Sequence, residues 1–462
     1  MTTFIRQNAG RLTSLALGFL TALTAGAAEP EWKVGLAQVK ITPERPVFLA
    51  GYASRNKPFT KVESDLYAKA LALEDRQGQR VVLVTSDLIG FPVEVAEPIC
   101  ERLRRKAGLK REQILLNSSH THTGPMLLLK ATGGEGLTAA ELERNVEYTR
   151  QLQDKVVDLV ERAAARLEPA KLSWGAGVCP FVMNRREFTP KGVILGVNPR
   201  GLADRVAPVL RIDTPDGKLR AVLFGAAVHG TTLTGDNYEL CGDYAGFAQS
   251  YIQDKHPSVQ AMFLLGCAGD ANPYPRGKME FAREHGVTLG KEVCRVLETK
   301  LHPVNGPLTI AFDRAALPLQ APPARAELEK QAAGKSGLQP WIAKRMLAVL
   351  DRGEKLPTHY NCPLAVWAFG GDLTLVALSG EVVVDYVRLL EKALGPNNLW
   401  LAAYCNDVFG YLPSARVLKE GGYETRGLYS GGIGLFAPKA QDVLVEKVRA
   451  LAKKAGRALP AE

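Results

Sequence analysis

Apolar positions along the chain cluster in short runs that stop abruptly at polar or small residues. Residues 81–87, 114–117, 221–229, 262–266, 373–378 and 399–404 are of this kind, rich in Val, Ile and Leu. Runs of this length without alternation predict strands buried on both faces. Between them, apolar residues recurring every three or four positions predict amphipathic helices near 92–108, 139–167, 280–300, 381–394 and 440–455. Strands alternating with helices define an α/β class, with mixed β-sheets packed together and flanked by helices. In such folds chemistry gathers where strands end, and nearly every polar residue of interest here stands at or just beyond the end of an apolar run. No internal repeat and no low-complexity linker interrupts the pattern. The stretch 318–363 departs from it, with proline-rich punctuation around two helical patterns, 324–333 and 340–350. It reads as a helical insertion, either a covering lid or a plain surface excursion.

Composition changes the picture little. The 462 residues are 46% hydrophobic and 23% charged, enough apolar material for a substantial core. The formal net charge is +10, but the densest basic run, at 101–111, alternates with apolar positions as a solvated helix face does. With no nucleic-acid motif beside it, nucleic-acid binding is not expected. Seven cysteines stand singly with no CxxC, and read as buried small hydrophobes.

The N-terminus carries a sharper signal. Arg6 and Arg11 precede an uncharged stretch, 12–24, that ends in Ala25-Gly26-Ala27-Ala28. This predicts a signal peptide over 1–28, a mature start near Glu29, and an exported protein, periplasmic or secreted. The apolar part is short for a membrane span, and no later stretch approaches that length, so no transmembrane helix is expected in the mature chain.

Four residues at strand ends bear the chemistry. His120 and His122 follow the 114–117 run, in the segment His120-Thr121-His122-Thr123-Gly124-Pro125. In extended backbone the two imidazoles would point to opposite sides; if the strand has already turned, one can hold a metal while the other handles protons. Gly124-Pro125 fixes a tight turn there. His229 closes the 221–229 run, and Glu381 follows the 373–378 run at the start of a predicted helix, where its carboxylate would also complement the helix dipole. Two histidines and a carboxylate suit a hydrolytic Zn2+ site with room for water. Neither a G-x-S-x-G elbow nor an HExxH helix is present, which removes two competing designs.

In this order, Val34-Gly35 with Ile41-Thr42-Pro43, Gly51-Tyr52, the His-Thr-His-Thr-Gly-Pro segment, Asn184-Arg185, Val228-His229-Gly230-Thr231, Gly269-Asp270, Gly380-Glu381 and a late pair of tyrosines run through the chain. In these landmarks the sequence resembles the N-terminal catalytic domain of the neutral/alkaline non-lysosomal ceramidases. The resemblance implies zinc held by His120, His229, Glu381 and Tyr411, the last because it precedes Tyr423-Glu424 by twelve residues. It further implies that His122 assists proton transfer, that Tyr423 and Arg185 lie near the scissile amide, and that Asp270 and Asn272 meet substrate. Asn272 stands where the family has a serine, in Gly269-Asp270-Ala271-Asn272-Pro273. The chain is therefore expected to form one zinc-hydrolase domain, 29–462, without the family's C-terminal immunoglobulin-like domain. Its expected substrate is an N-acyl lipid or a related small N-acyl compound, with a peripheral membrane contact compatible with such a substrate. Two other readings stay open: a metal-dependent esterase or phosphoesterase, and a secreted binding protein on the same fold. The phosphoesterase would need two metals bridged by an aspartate such as Asp87, Asp243 or Asp270, but lacks the GNH-type motif of that class.

Overall fold

A computed structural model describes residues 1–2, 32–131, 137–334 and 338–460. Most of the predicted leader and the start at Glu29 therefore lie outside the described residues. Each apolar run forms a strand. Among the described residues, nine strands form one sheet in the order Gln260–Leu265, Leu219–Ala226, Val206–Asp213, Glu168–Val178, Trp32–Lys40, Tyr67–Asp75, Arg80–Ser86, Ile114–Leu116, with His302–Val304 added beside Glu168–Val178. The two outermost pairs are parallel and the interior pairings antiparallel. A second sheet has four strands, Leu308–Pro318, His359–Phe369, Leu373–Leu378 and Leu399–Ala402, the last pair parallel.

The two-residue period of a strand explains how both faces are buried. In Arg80–Ser86, Val81 and Leu83 point into a core shared with Trp367, Phe369, Leu375 and Trp400 of the second sheet. Val82 and Val84 point the other way, against Ile99, Leu103, Val156 and Val160 of the helices Val93–Ala107 and Ala139–Ala164. The sheets thus pack face to face, with helices outside. Asp243–Lys255 and Met279–Leu297 cover the other half of the large sheet, and Asp385–Leu394 and Ala440–Lys454 cover the small one. The mixed α/β architecture expected from the pattern is the one observed.

Two details differ from the sequence pattern. Glu381 does not open a helix: Glu381–Val382 is a short strand parallel to Tyr411–Leu412, and the helix starts at Asp385. The reason is Gly380, whose φ of +82° turns the chain out of the sheet before any helix can start. The stretch at 318–363 is the link of a hairpin, since Pro318 pairs directly with His359, and its helices are Arg325–Ala332 and Leu338–Asp351. Its last residues, from His359 on, are already strand. All seven cysteines are free thiols, six of them buried.

The segments leaving the parallel strands converge. Asn117, fully buried, accepts from the Leu265 amide at 3.2 Å and donates to the Ala403 carbonyl at 2.7 Å. One amide side chain thereby ties three strand ends together. Thr121 bridges Gly230 in parallel, and Cys405 bridges Asn117. The Gly269 amide donates to Val382 O at 2.8 Å, and Tyr404 N to Gly380 O at 3.1 Å. Five loops from distant parts of the chain share one rim.

Candidate metal centre

His120 sits on that rim with φ +54°, a left-handed conformation rare for a side chain of its size. This kink breaks the alternation that would have separated it from His122. The two rings lie 4.9 Å apart between centroids, and His229 is 4.7 Å from His120. Gly230 permits the approach, because a Cβ there would stand 2.6 Å from the His120 carbonyl oxygen. Gly51 does the same for His122, whose Nδ1 occupies the space of a would-be Cβ.

The three imidazoles each offer a nitrogen, and these lie within 4.8 Å of one another. Glu381 completes the group: its Oε2 is 3.2 Å from His120 Nε2 and 3.1 Å from His229 Nε2. On the far side of each ring, His120 Nδ1 meets the Ile89 carbonyl at 2.5 Å and His229 Nδ1 meets Ala268 O at 2.6 Å. A carbonyl only accepts, so both Nδ1 atoms carry hydrogen, and each Nε2 that is not protonated presents a lone pair. Two such lone pairs facing one carboxylate oxygen repel unless something positive, a proton or a metal ion, sits between them. Donors held about 2.1 Å from a tetrahedral ion stand ~3.4 Å apart, close to the spacing here. The pinned Nδ1 atoms are also the outer-shell arrangement that orients metal-binding histidines. The residues present therefore fit a divalent cation.

Electrostatics agree with this fit. Burial alone would raise the Glu381 carboxyl, but the flanking imidazoles of His120 and His229 hold it well below the usual carboxylate range. Burial, with Arg185 adding to it, lowers His229 to about 3, so the ring is neutral near pH 7. His122 is likewise lowered well below its ordinary value, first by burial and then by His120 and His229. Neither of its ring nitrogens has a hydrogen-bond partner among the described residues.

Around this core lies a second, polar ring. Arg185 donates to Glu424 Oε1 at 2.9 Å, to Asn272 Oδ1 at 3.3 Å and to the Tyr411 hydroxyl at 2.8 Å. Asn272 also accepts from Thr231 Oγ1 at 3.1 Å. Arg186 holds the other Glu424 oxygen at 2.6 Å, fixing the position of the first arginine. Tyr411 stacks on His229, with centroids 6.4 Å apart and planes inclined by 21°. Tyr423 packs edge-on to Tyr411 at 5.5 Å, beneath the Arg426 guanidinium. Asp270 is buried in the scaffold, its carboxylate accepting from Val384 N at 2.7 Å and Asn184 Nδ2 at 3.2 Å. Burial raises it to about 6.

The nine site residues named from sequence thus gather in one region, with Asp270 beneath it. Two neighbours were not named. Tyr404 has φ +56°, a buried hydroxyl without a partner among the described residues, and a ring 4.5 Å from His120. It ends an apolar run as His229 does, so the strand-end rule was the signal that could have found it. Arg55 donates to the carbonyls of Ala50 and His122 from a loop with no periodic pattern to mark it.

Fold and centre together define a protein of two packed mixed sheets carrying a buried imidazole–carboxylate cluster suited to a divalent cation. Residues 32–315 match the model of the neutral/alkaline non-lysosomal ceramidase N-terminal domain, and the chain belongs to this family. It is 26% identical to the neutral ceramidase of Pseudomonas aeruginosa over 269 residues, 54% of this chain and 38% of that protein. It is 23% identical to neutral ceramidase A of Dictyostelium discoideum over 292 residues, 57% of this chain and 40% of that protein. The matches thus span about two fifths of the length of these relatives. The crystal structure of the Pseudomonas aeruginosa neutral ceramidase superposes with a TM-score of 0.70 at 21% identity, covering 94% of this chain and 76% of that one, and shows the same fold.

Proposed function

We propose that the chain is a zinc-dependent hydrolase that cleaves the amide bond of an N-acyl lipid of ceramide type or a related N-acyl compound. The observation that carries this reading is the meeting of two Nδ1-pinned imidazoles, His120 and His229, on a single oxygen of Glu381. These three residues would hold the ion, with Tyr411 as the fourth ligand. Zinc, when bound, is a Lewis acid that polarises a carbonyl and brings the pKa of water toward about 7. His122, buried with both nitrogens unpartnered, takes a proton from the attacking water and delivers it to the amine nitrogen as the C–N bond breaks. Arg185, held by Glu424, keeps the Tyr411 hydroxyl oriented and offers positive charge near the carbonyl oxygen, where Tyr423 also faces substrate. Asn272 is assigned to the substrate side through its contact with Arg185, while the buried Asp270 carboxylate supports the loop beneath it through Val384 and Asn184. The chain is further read as one hydrolase domain, exported after removal of residues 1–28.

The test is metal analysis of the purified protein joined to a substrate panel of N-acyl sphingosines, N-acyl amino acids and simple esters. Near-stoichiometric zinc with amide turnover is expected. Turnover of esters or phosphoesters only would replace the amide reading, and zinc without any turnover would favour a binding protein.

A further inference from the structure

The hairpin formed by Val182–Thr189 and Gly192–Asn198 begins at the site and ends in solvent. Its base is paired on both sides, since Ala271–Pro273 runs beside Val182 to Asn184. Beyond Asn184 no further strand pairs with it among the described residues, although Arg186 ties it to Glu420, Gly421 and Glu424 and Val193 lies beside Gly422. Phe188 is 58% exposed, Ile194 47%, Leu195 48%, Val197 39%, and Leu202 in the following loop 43%. Paired residues share a face, so Phe188 with Val193 lies on one side and Ile194 with Glu187 on the other. Leu195 and Val197 extend the Phe188 face, so one face carries most of the exposed apolar side chains, and Ile194 stands among Glu187, Thr189 and Gly196 on the other. An exposed apolar cluster of this kind marks an interaction surface.

Charge around the projection selects the partner. Lys191 at the tip, Arg200 and Arg205 are exposed, and no ion pair joins them to any described residue. The nearby carboxylates are engaged: Glu187 accepts from the Val197 amide at 3.1 Å and Asp204 from Val206 N at 3.0 Å. A cavity of about 470 Å³ between Phe188, Asn198, Arg200, Leu202 and Arg416 combines apolar wall and guanidinium. A second copy of the chain meeting this patch isologously would set the same unpaired cations against each other. An apolar wedge ringed by free cations instead matches an acyl layer beneath anionic headgroups.

We propose that this hairpin docks the protein on an anionic phospholipid surface, with Phe188, Ile194, Leu195 and Val197 entering the interface and Lys191 and Arg200 meeting lipid phosphates. Phe188 lies three residues from Arg185 on the same strand, roughly 10 Å at strand rise. Docking therefore sets the catalytic rim beside the bilayer rather than in bulk solvent.

The test is co-sedimentation of the full chain with vesicles of phosphatidylcholine alone and of phosphatidylcholine mixed with phosphatidylglycerol. Binding is expected to the mixed vesicles and to weaken with salt. K191E/R200E should lower it by about fivefold or more per cation replaced, and F188S/I194S/L195S should abolish it, with unfolding temperature and hydrolysis of a water-soluble amide unchanged. In F188W, a blue shift of Trp emission and quenching by brominated lipid are expected on the mixed vesicles alone. Wild-type vesicle binding by the triple serine variant, or no binding by the wild type, overturns the proposal. So does a concentration-dependent dimer that the serine variant loses.

Discussion

His120 and His122 differ in what holds their rings. His120 gives its Nδ1 hydrogen to Ile89 O and turns Nε2 toward Glu381, whereas His122 has no partner for either nitrogen among the described residues. His120→Ala is therefore expected to remove both bound zinc and activity. His122→Ala should keep the metal and lose on the order of 10²–10⁴ in kcat. Metal content by atomic emission and kcat, measured on both variants, check this. Equal metal loss in both would mean that the three-imidazole set, not the pair with Glu381, holds the ion. Gly230→Ala makes a second point, since its Cβ would press on backbone rather than on a flexible side chain. It should spread His120 from His229 and weaken zinc at least tenfold in a competitive chelator titration while the protein remains folded.

At the scale of elements, the pattern of apolar runs located most of what carries the centre. The runs at 114–117, 221–229, 373–378 and 399–404 each became a strand that releases a site residue at its end. The helix Asp243–Lys255 was less legible, because its turns are filled with Ala, Gly, Ser and Gln rather than a broad apolar stripe. The start of the helix Val93–Ala107 depends on a distant residue: Asp407 Oδ1 accepts from Val93 N at 3.1 Å, while its other oxygen takes the Tyr360 hydroxyl. Burial, with Glu94 adding to it, raises Asp407 to about 7. A carboxyl whose folded value exceeds the unfolded value of about 3.9 stabilises most when protonated. Its contribution is full below the unfolded value and is lost as pH rises through about 7. The stability of the wild type relative to Asp407→Asn should accordingly fall, by on the order of 4 kcal/mol between pH 4 and 8. Denaturant unfolding of both proteins across that range measures it; a flat difference would show that Asp407 titrates normally.

For the whole molecule, the centre is also a clamp. It joins loops that leave both sheets, and a cation binding only the folded chain stabilises it by mass action. At a hundredfold excess of free zinc over its Kd, the gain is about 2.7 kcal/mol. Removing metal with a chelator should thus lower the unfolding temperature, and readding zinc should restore it. His120→Ala should show neither change in a thermal melt. An equal chelator effect in the variant would assign the stabilising ion to another place.

The sequence by itself determined the alternating strands and helices, the strand-end placement of His120, His229 and Glu381, and through its ordered landmarks the family. Those features depend on local periodicity and on short spacings along the chain. Only the tertiary structure decided that His120 and His122 share a side, that Glu381 stands in a strand instead of a helix, and that Asp270 braces the scaffold. Each of these depends on a backbone kink or on contacts between residues far apart in sequence. The left-handed turn at His120 is held by Gly230 more than a hundred positions away, and no local pattern records such a neighbour.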